Sequence, residues 1–100
     1  MDVKFGTARL LKCYEDQRTR TKEWGGKIAR LYVQRVDALY AARDAQDLRS
    51  LQSLKFHALT GSRKGQYAVW LDGFYRLIVT FEGRAMTVVT VEEVSKHYGD

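Results

Sequence analysis

The chain has 100 residues, with 17 Lys and Arg against 12 Asp and Glu, for a formal net charge of +5 at pH 7. That length supports one domain, residues 1–100, with a single modest core, and charges spread along the whole chain leave no apolar run long enough for a bilayer. The positive balance suits a phosphate backbone or an acidic protein partner, while a single cysteine, Cys13, excludes an internal disulfide and a cysteine-based zinc site and points to a reducing cytoplasm.

In chain order, Met1 to Thr7 carries Asp2 and Lys4 without an apolar stretch, so no secretory signal is expected there. Asp2 to Phe5 reads as a short first strand or an entry segment. Thr7 is placed to N-cap a short helix carrying Leu10, Leu11 and Tyr14. The polar stretch from Glu15 to Lys22 reads as a loop, or as the fraying end of that helix.

From about Gly26 to Arg43 the pattern is helical. Ile28, Leu31, Tyr32, Val36, Leu39 and Tyr40 recur at steps of three and four, giving one apolar stripe interrupted only by Arg35. Asp44 is placed to cap a brief further helix that uses Leu48 and Leu51. Both stripes read as core packing.

After Leu54 the period changes. Gln66 to Leu71 and Phe74 to Phe81 are rich in aromatic and β-branched residues and flank Asp72-Gly73, a strong hairpin signal. Met86 to Val94 supplies a third strand of a meander, and Lys55 to Leu59 another beside it. A two-residue turn at Asp72-Gly73 sets Trp70 opposite Tyr75, Val69 opposite Arg76 and Ala68 opposite Leu77. Trp70, Tyr75, Leu77 and Val79 then share the face that the helices cover. Arg76 falls on the other face, beside Tyr67, Val69 and Ile78, where a permanently charged guanidinium needs water or an anion. The expected fold class is α+β, with N-terminal helices packed on one face of a sheet of three to five mainly antiparallel strands.

The residues able to do chemistry are few: His57, the run Gly61-Ser62-Arg63-Lys64-Gly65, Arg76, and Lys96-His97-Tyr98. The basic run lacks the spacing and the strand-to-helix setting of a Walker loop. Two histidines without H-E-x-x-H fall short of a metal site, and no G-x-S-x-G elbow is present, so neither a metal nor a cofactor is expected. Taken singly, the loop reads as a solvated turn and each histidine as a surface or packing residue.

Their combination is more specific. Phe56-His57-Ala58-Leu59-Thr60-Gly61-Ser62-Arg63-Lys64-Gly65-Gln66-Tyr67, followed by Asp72-Gly73-Phe74-Tyr75-Arg76-Leu77, resembles the HigB toxins, which are RelE-like. The order of the preceding helices fits as well, and the resemblance covers roughly residues 26–99. It implies a small antiparallel sheet with helices on one face, a toxin restrained by a cognate antitoxin, and cleavage of messenger RNA on the translating ribosome. The matching positions are His57, Lys64, Arg76 and His97, with Arg63 beside the loop. The pattern departs at the end, where the family often has Tyr-His and this chain has His97-Tyr98.

The chemistry can also be stated from the residues. RNA brings its own nucleophile, the 2′-OH, so the protein needs a base, an acid and an anion stabiliser. His97 or Tyr98 would take the 2′-OH proton. Arg76 would hold the scissile phosphate, His57 would protonate the departing 5′-oxygen or orient the loop, and Arg63, Lys64 and Lys96 would grip the RNA backbone. Two other readings compete. One is a ParE-like inhibitor that binds DNA gyrase without chemistry. The other is an inactive basic nucleic-acid-binding protein in which Trp70, Phe74 and Tyr75 stack on bases.

Overall fold

The computed structural model describes residues 1–96. Five strands form one sheet: β1 (Asp2–Phe5), β2 (His57–Ala58), β3 (Tyr67–Trp70), β4 (Tyr75–Glu82) and β5 (Val88–Lys96), in the order β1-β5-β4-β3-β2. β1 runs parallel to β5, and the other pairings are antiparallel. Three α-helices, α1 (Ala8–Glu15), α2 (Gln17–Ala41) and α3 (Ala45–Arg49), precede the meander. Asp2–Phe5 is thus a strand, and the expected α+β layout holds. Among the described residues no helix is long and apolar enough to cross a membrane.

Thr7 caps α1 as its position suggests, accepting from the Leu10 amide at 3.1 Å. The polar stretch after Glu15, expected to be a loop or fraying end, is instead helical from Gln17. Asp16 caps it by accepting from the Thr19 amide at 2.9 Å. Arg20 then reaches back and donates to the carbonyls of Cys13 (2.8 Å) and Tyr14 (2.9 Å), satisfying the last turn of α1. α2 is broken once, at Gly25 (φ 79°, ψ 168°), a backbone region open essentially to glycine alone.

Beyond the break, Ile28, Tyr32, Val36 and Leu39 are buried against Val69, Leu77, Val79, Val89 and Val91 of the sheet. Truncating a fully buried member such as Leu77 to alanine would cost about 2–5 kcal/mol. Arg35, the one interruption of the stripe, donates from Nε to the carbonyl of Trp70 at 2.8 Å, and burial lowers its pKa. The charge in the stripe thus fastens α2 to the end of β3. Asp44 caps α3, accepting from the Gln46 and Asp47 amides; Leu48 is buried, whereas Leu51 lies past the helix and is exposed.

The hairpin register differs by one residue from the two-residue turn. Trp70 pairs with Arg76, Val69 with Leu77 and Ala68 with Ile78. The physical reason is the Asp72 side chain, whose Oδ1 accepts from the amides of Phe74 and Tyr75, both at 2.8 Å, while the Leu71 and Asp72 amides both donate to the Tyr75 carbonyl. An Asx turn replaces the tight turn and takes up one more residue. Tyr67 and Val69 consequently join the helix-covered face, and Trp70 moves to the outer one with Arg76. The expected outward position of Arg76 holds, but its companions are Trp70, Ala68 and Ile78.

A bulge in β5 makes a second adjustment. Ile78 pairs with Glu93 but Val79 with Val91, so Glu92 is the extra residue, its carboxylate accepting from Thr80 Oγ1 at 2.6 Å. The insertion exchanges faces, sending Glu93 outward and Val94 inward.

Candidate active site

On the outer face Leu59, Ala68 and Ile78 form a small apolar floor. Beside it lies a cleft of about 160 Å³ lined by His57, Ala58, Leu59, Thr60, Arg63 and Arg76. Three local features place its polar side chains. His57 opens β2 and pairs with Ala68, so it stands on the same face as Ile78 and Arg76. Gly61–Arg63 forms a short 3₁₀ turn between β2 and β3, and Gly61 (φ 63°) and Gly65 (φ 94°) bracket it. Arg76 projects from mid-hairpin, partly buried, opposite Ser95 of β5.

The His57 ring is oriented by its own chain: Nδ1 lies 2.8 Å from the carbonyl oxygen of Lys55. A carbonyl can only accept, so Nδ1 carries a proton and Nε2 is left to exchange one. Lys55 itself sits at φ 45° after the 3₁₀ turn Gln52–Leu54, a conformation that turns its carbonyl toward the ring. Its ammonium lies 4.0 Å from the centroid of the Trp70 ring.

Arg63 lines the cleft, but its guanidinium is engaged. Nη1 donates to Glu93 Oε1 at 2.6 Å and to Gln66 Oε1 at 2.9 Å. This pairing was not visible in the sequence; two successive glutamates inside a strand, Glu92 and Glu93, were the only signal, and only the bulge decides which faces outward. Lys64 is exposed at the end of the 3₁₀ turn and does not line the cleft. Lys96 pairs with Tyr75, with its ammonium 5.9 Å from that ring, on the face opposite Arg76. Of the sequence-derived set, the fold gathers His57, Arg63 and Arg76, leaves Lys64 near the rim, and sets Lys96 apart. His97 and Tyr98 lie outside the described residues. Among the described residues, no three His, Cys, Asp or Glu side chains cluster as metal ligands would.

The profile of the RelE-like toxins of type II toxin–antitoxin systems, HigB, matches residues 3–93. No curated protein sequence matches. Several solved structures share the fold at low identity. A YoeB/ParE toxin from Agrobacterium tumefaciens superposes with a TM-score of 0.58 at 15% identity, over 98% of this chain and 100% of that one. YafQ from E. coli gives 0.56 at 17% identity, over 95% and 91% of the two chains. The YoeB–YefM complex from Staphylococcus aureus gives 0.55 at 15% identity, over 98% of each. Helices packed against a five-stranded, mostly antiparallel sheet form the fold of RelE-like toxins. This chain belongs to the HigB-like family of those toxins.

Proposed function

We propose that this toxin is an endoribonuclease that cleaves messenger RNA on the translating ribosome, with the RNA 2′-OH as nucleophile. The observation that carries the reading is the cleft on the outer face lined by both His57 and Arg76, an imidazole with one nitrogen held and a guanidinium. Arg76 holds the scissile phosphate and stabilises the charge that grows on it in the pentacoordinate transition state. His57, with Nδ1–H given to Lys55, delivers a proton from Nε2 to the departing 5′-oxygen. His97 takes the 2′-OH proton, with Tyr98 the other candidate. Lys64, next to Arg63 in the loop, contacts the RNA backbone, while Arg63, tied to Glu93, forms the cleft wall and contributes positive charge. The expected product is a 2′,3′-cyclic phosphate or its hydrolysed form.

A site with so few acid and base groups gains from RNA that another body positions, which favours the ribosome as co-participant. The toxin acts in the cytoplasm and is restrained by a cognate antitoxin; the YoeB–YefM complex supports that partner by analogy of fold. The test is expression of wild type, Arg76→Ala and His97→Ala in a bacterium with growth followed and RNA ends mapped. The expected result is arrest with new ends for wild type and loss of both in the variants. Arrest with intact message and failing supercoiling would point to gyrase binding instead, and no toxicity would point to an inactive chain.

A further inference from the structure

Most large aromatics of the described chain are absorbed by the helix-side core, but Tyr40, Trp70 and Phe74 belong to neither apolar cluster, and of these Trp70 lies on the sheet beside Arg76. Trp70 is the cross-strand partner of Arg76 and is only partly buried, on the open face of the sheet. Adjacent strands lie about 4.8 Å apart, so the indole and the guanidinium rise from anchors separated by roughly the size of one nucleotide. The Lys55 ammonium stands over the Trp70 ring, 4.0 Å from the indole centroid. The carbonyl of the same Lys55 orients His57, and the carbonyl of Trp70 is fixed by Arg35. Lys55 thus touches the imidazole through its carbonyl and the indole through its ammonium, and Arg76 is the cross-strand partner of that indole.

We infer that Trp70, backed by Lys55, is a stacking platform for an unpaired RNA base next to the phosphate that Arg76 holds. The inference rests on the ribonuclease reading and adds a base-binding subsite to it. An indole accepts any base by its π-face, and the ammonium behind it adds cation–π attraction and a positive charge near the adjoining phosphate. A single unpaired nucleotide is the ligand this arrangement fits; a paired one would keep its face inside the duplex.

The test uses the full chain and a fluorescein-labelled hexaribonucleotide with 2′-O-methyl riboses, which binds but offers no nucleophile, titrated at low salt. Trp70→Leu is expected to weaken binding about tenfold or more, Trp70→Phe less, and Lys55→Met by an intermediate amount. In a series with one abasic position moved along the oligomer, a single position should weaken wild type by the same factor and leave Trp70→Leu unaffected. Wild-type affinity in Trp70→Leu, abasic effects identical in both proteins, or no binding by wild type would each overturn the platform. Should Trp70→Leu fail to fold by circular dichroism, unchanged affinity in both Trp70→Phe and Lys55→Met would overturn it equally. Trp70-dependent binding without RNA cleavage in cells sinks the nuclease reading alone; cleavage with Trp70-indifferent binding sinks the platform alone.

Discussion

The carbonyl oxygen of Lys55 holds Nδ1 of His57 at 2.8 Å, so a backbone atom, not a carboxylate, orients the only histidine among the described residues. That fixes which nitrogen can exchange a proton. His57→Gln and His57→Asn are expected to slow RNA cleavage by about 10²-fold or more. One limb of the pH–rate profile should disappear in both. Because His57 is exposed, urea unfolding of either variant should stay within about 0.5 kcal/mol of wild type. An unchanged pH profile would reduce His57 to an ornament of the loop.

Arg63 and Glu93 make the second relationship that bears on function, 2.6 Å apart across 30 residues of sequence. The pair is partly exposed, so its loss should cost no more than about 1 kcal/mol of stability in denaturant. Its effect on binding should be larger in kind. Glu93→Gln removes the carboxylate that neutralises the Arg63 guanidinium at the cleft and raises the net charge by one, so low-salt RNA affinity should tighten and its salt dependence steepen. Arg63→Ala should weaken binding much less than Arg76→Ala.

Two neighbouring glycines are expected to respond in opposite directions. Gly25 breaks α2 at φ 79° and ψ 168°, so Gly25→Ala should destabilise by about 1–3 kcal/mol. At Gly26, where an added Cβ would meet nothing within 4 Å, alanine should stabilise by up to about 1 kcal/mol. Thermal melts of the two variants measured side by side decide the matter.

The alkaline limb of stability should carry a tyrosine signature. Tyr14 donates its hydroxyl to Asp37 Oδ1 at 2.5 Å, and this bond, with burial second, raises its pKa to about 12. Unfolded, a tyrosine titrates near pH 10. The contribution is therefore complete below about pH 10 and is lost as pH rises through about 12, since the unfolded chain ionises first. Tyr14→Phe and Asp37→Asn should both flatten the fall in stability across that window. Some slope should persist, because burial also raises Tyr32. Chemical denaturation at pH 9, 10 and 11 would measure it.

The fold was legible where periodicity and caps agree. The α2 stripe, the Thr7 and Asp44 caps, and the strand runs on either side of Asp72-Gly73 all appear within a few residues of their expected places. What escaped depends on partners distant in sequence or on a side chain competing for the backbone. The arm from Gln17 looks like a loop because its support is Arg20 reaching α1 carbonyls, not an apolar stripe. The register slipped because Asp72 caps its own turn, which moved Trp70 from the core side to the side of Arg76. At the site, His57 and Arg76 stand out by residue type and order, and the fold sets both on one cleft. The engagement of Arg63 by Glu93 does not, since a bulge at Glu92 sets that face. Lys96 reads with Arg63 and Lys64 as a cation for the RNA backbone, and strand alternation turns it to the face opposite Arg76.

The central claim is that Arg76 and the imidazole beside it act on one phosphodiester, and the chemistry of the cut ends tests it most directly. Message recovered from a translating extract treated with wild-type toxin should yield 3′-side fragments with 5′-hydroxyl ends, ligatable only after kinase treatment. Their 5′-side partners should end in 2′,3′-cyclic or simple phosphate. Arg76→Ala, matched for stability, should reduce these ends by about 10²–10³-fold. Fragments bearing 5′-phosphates, or the same yield of ends from the Arg76→Ala protein, would contradict the account.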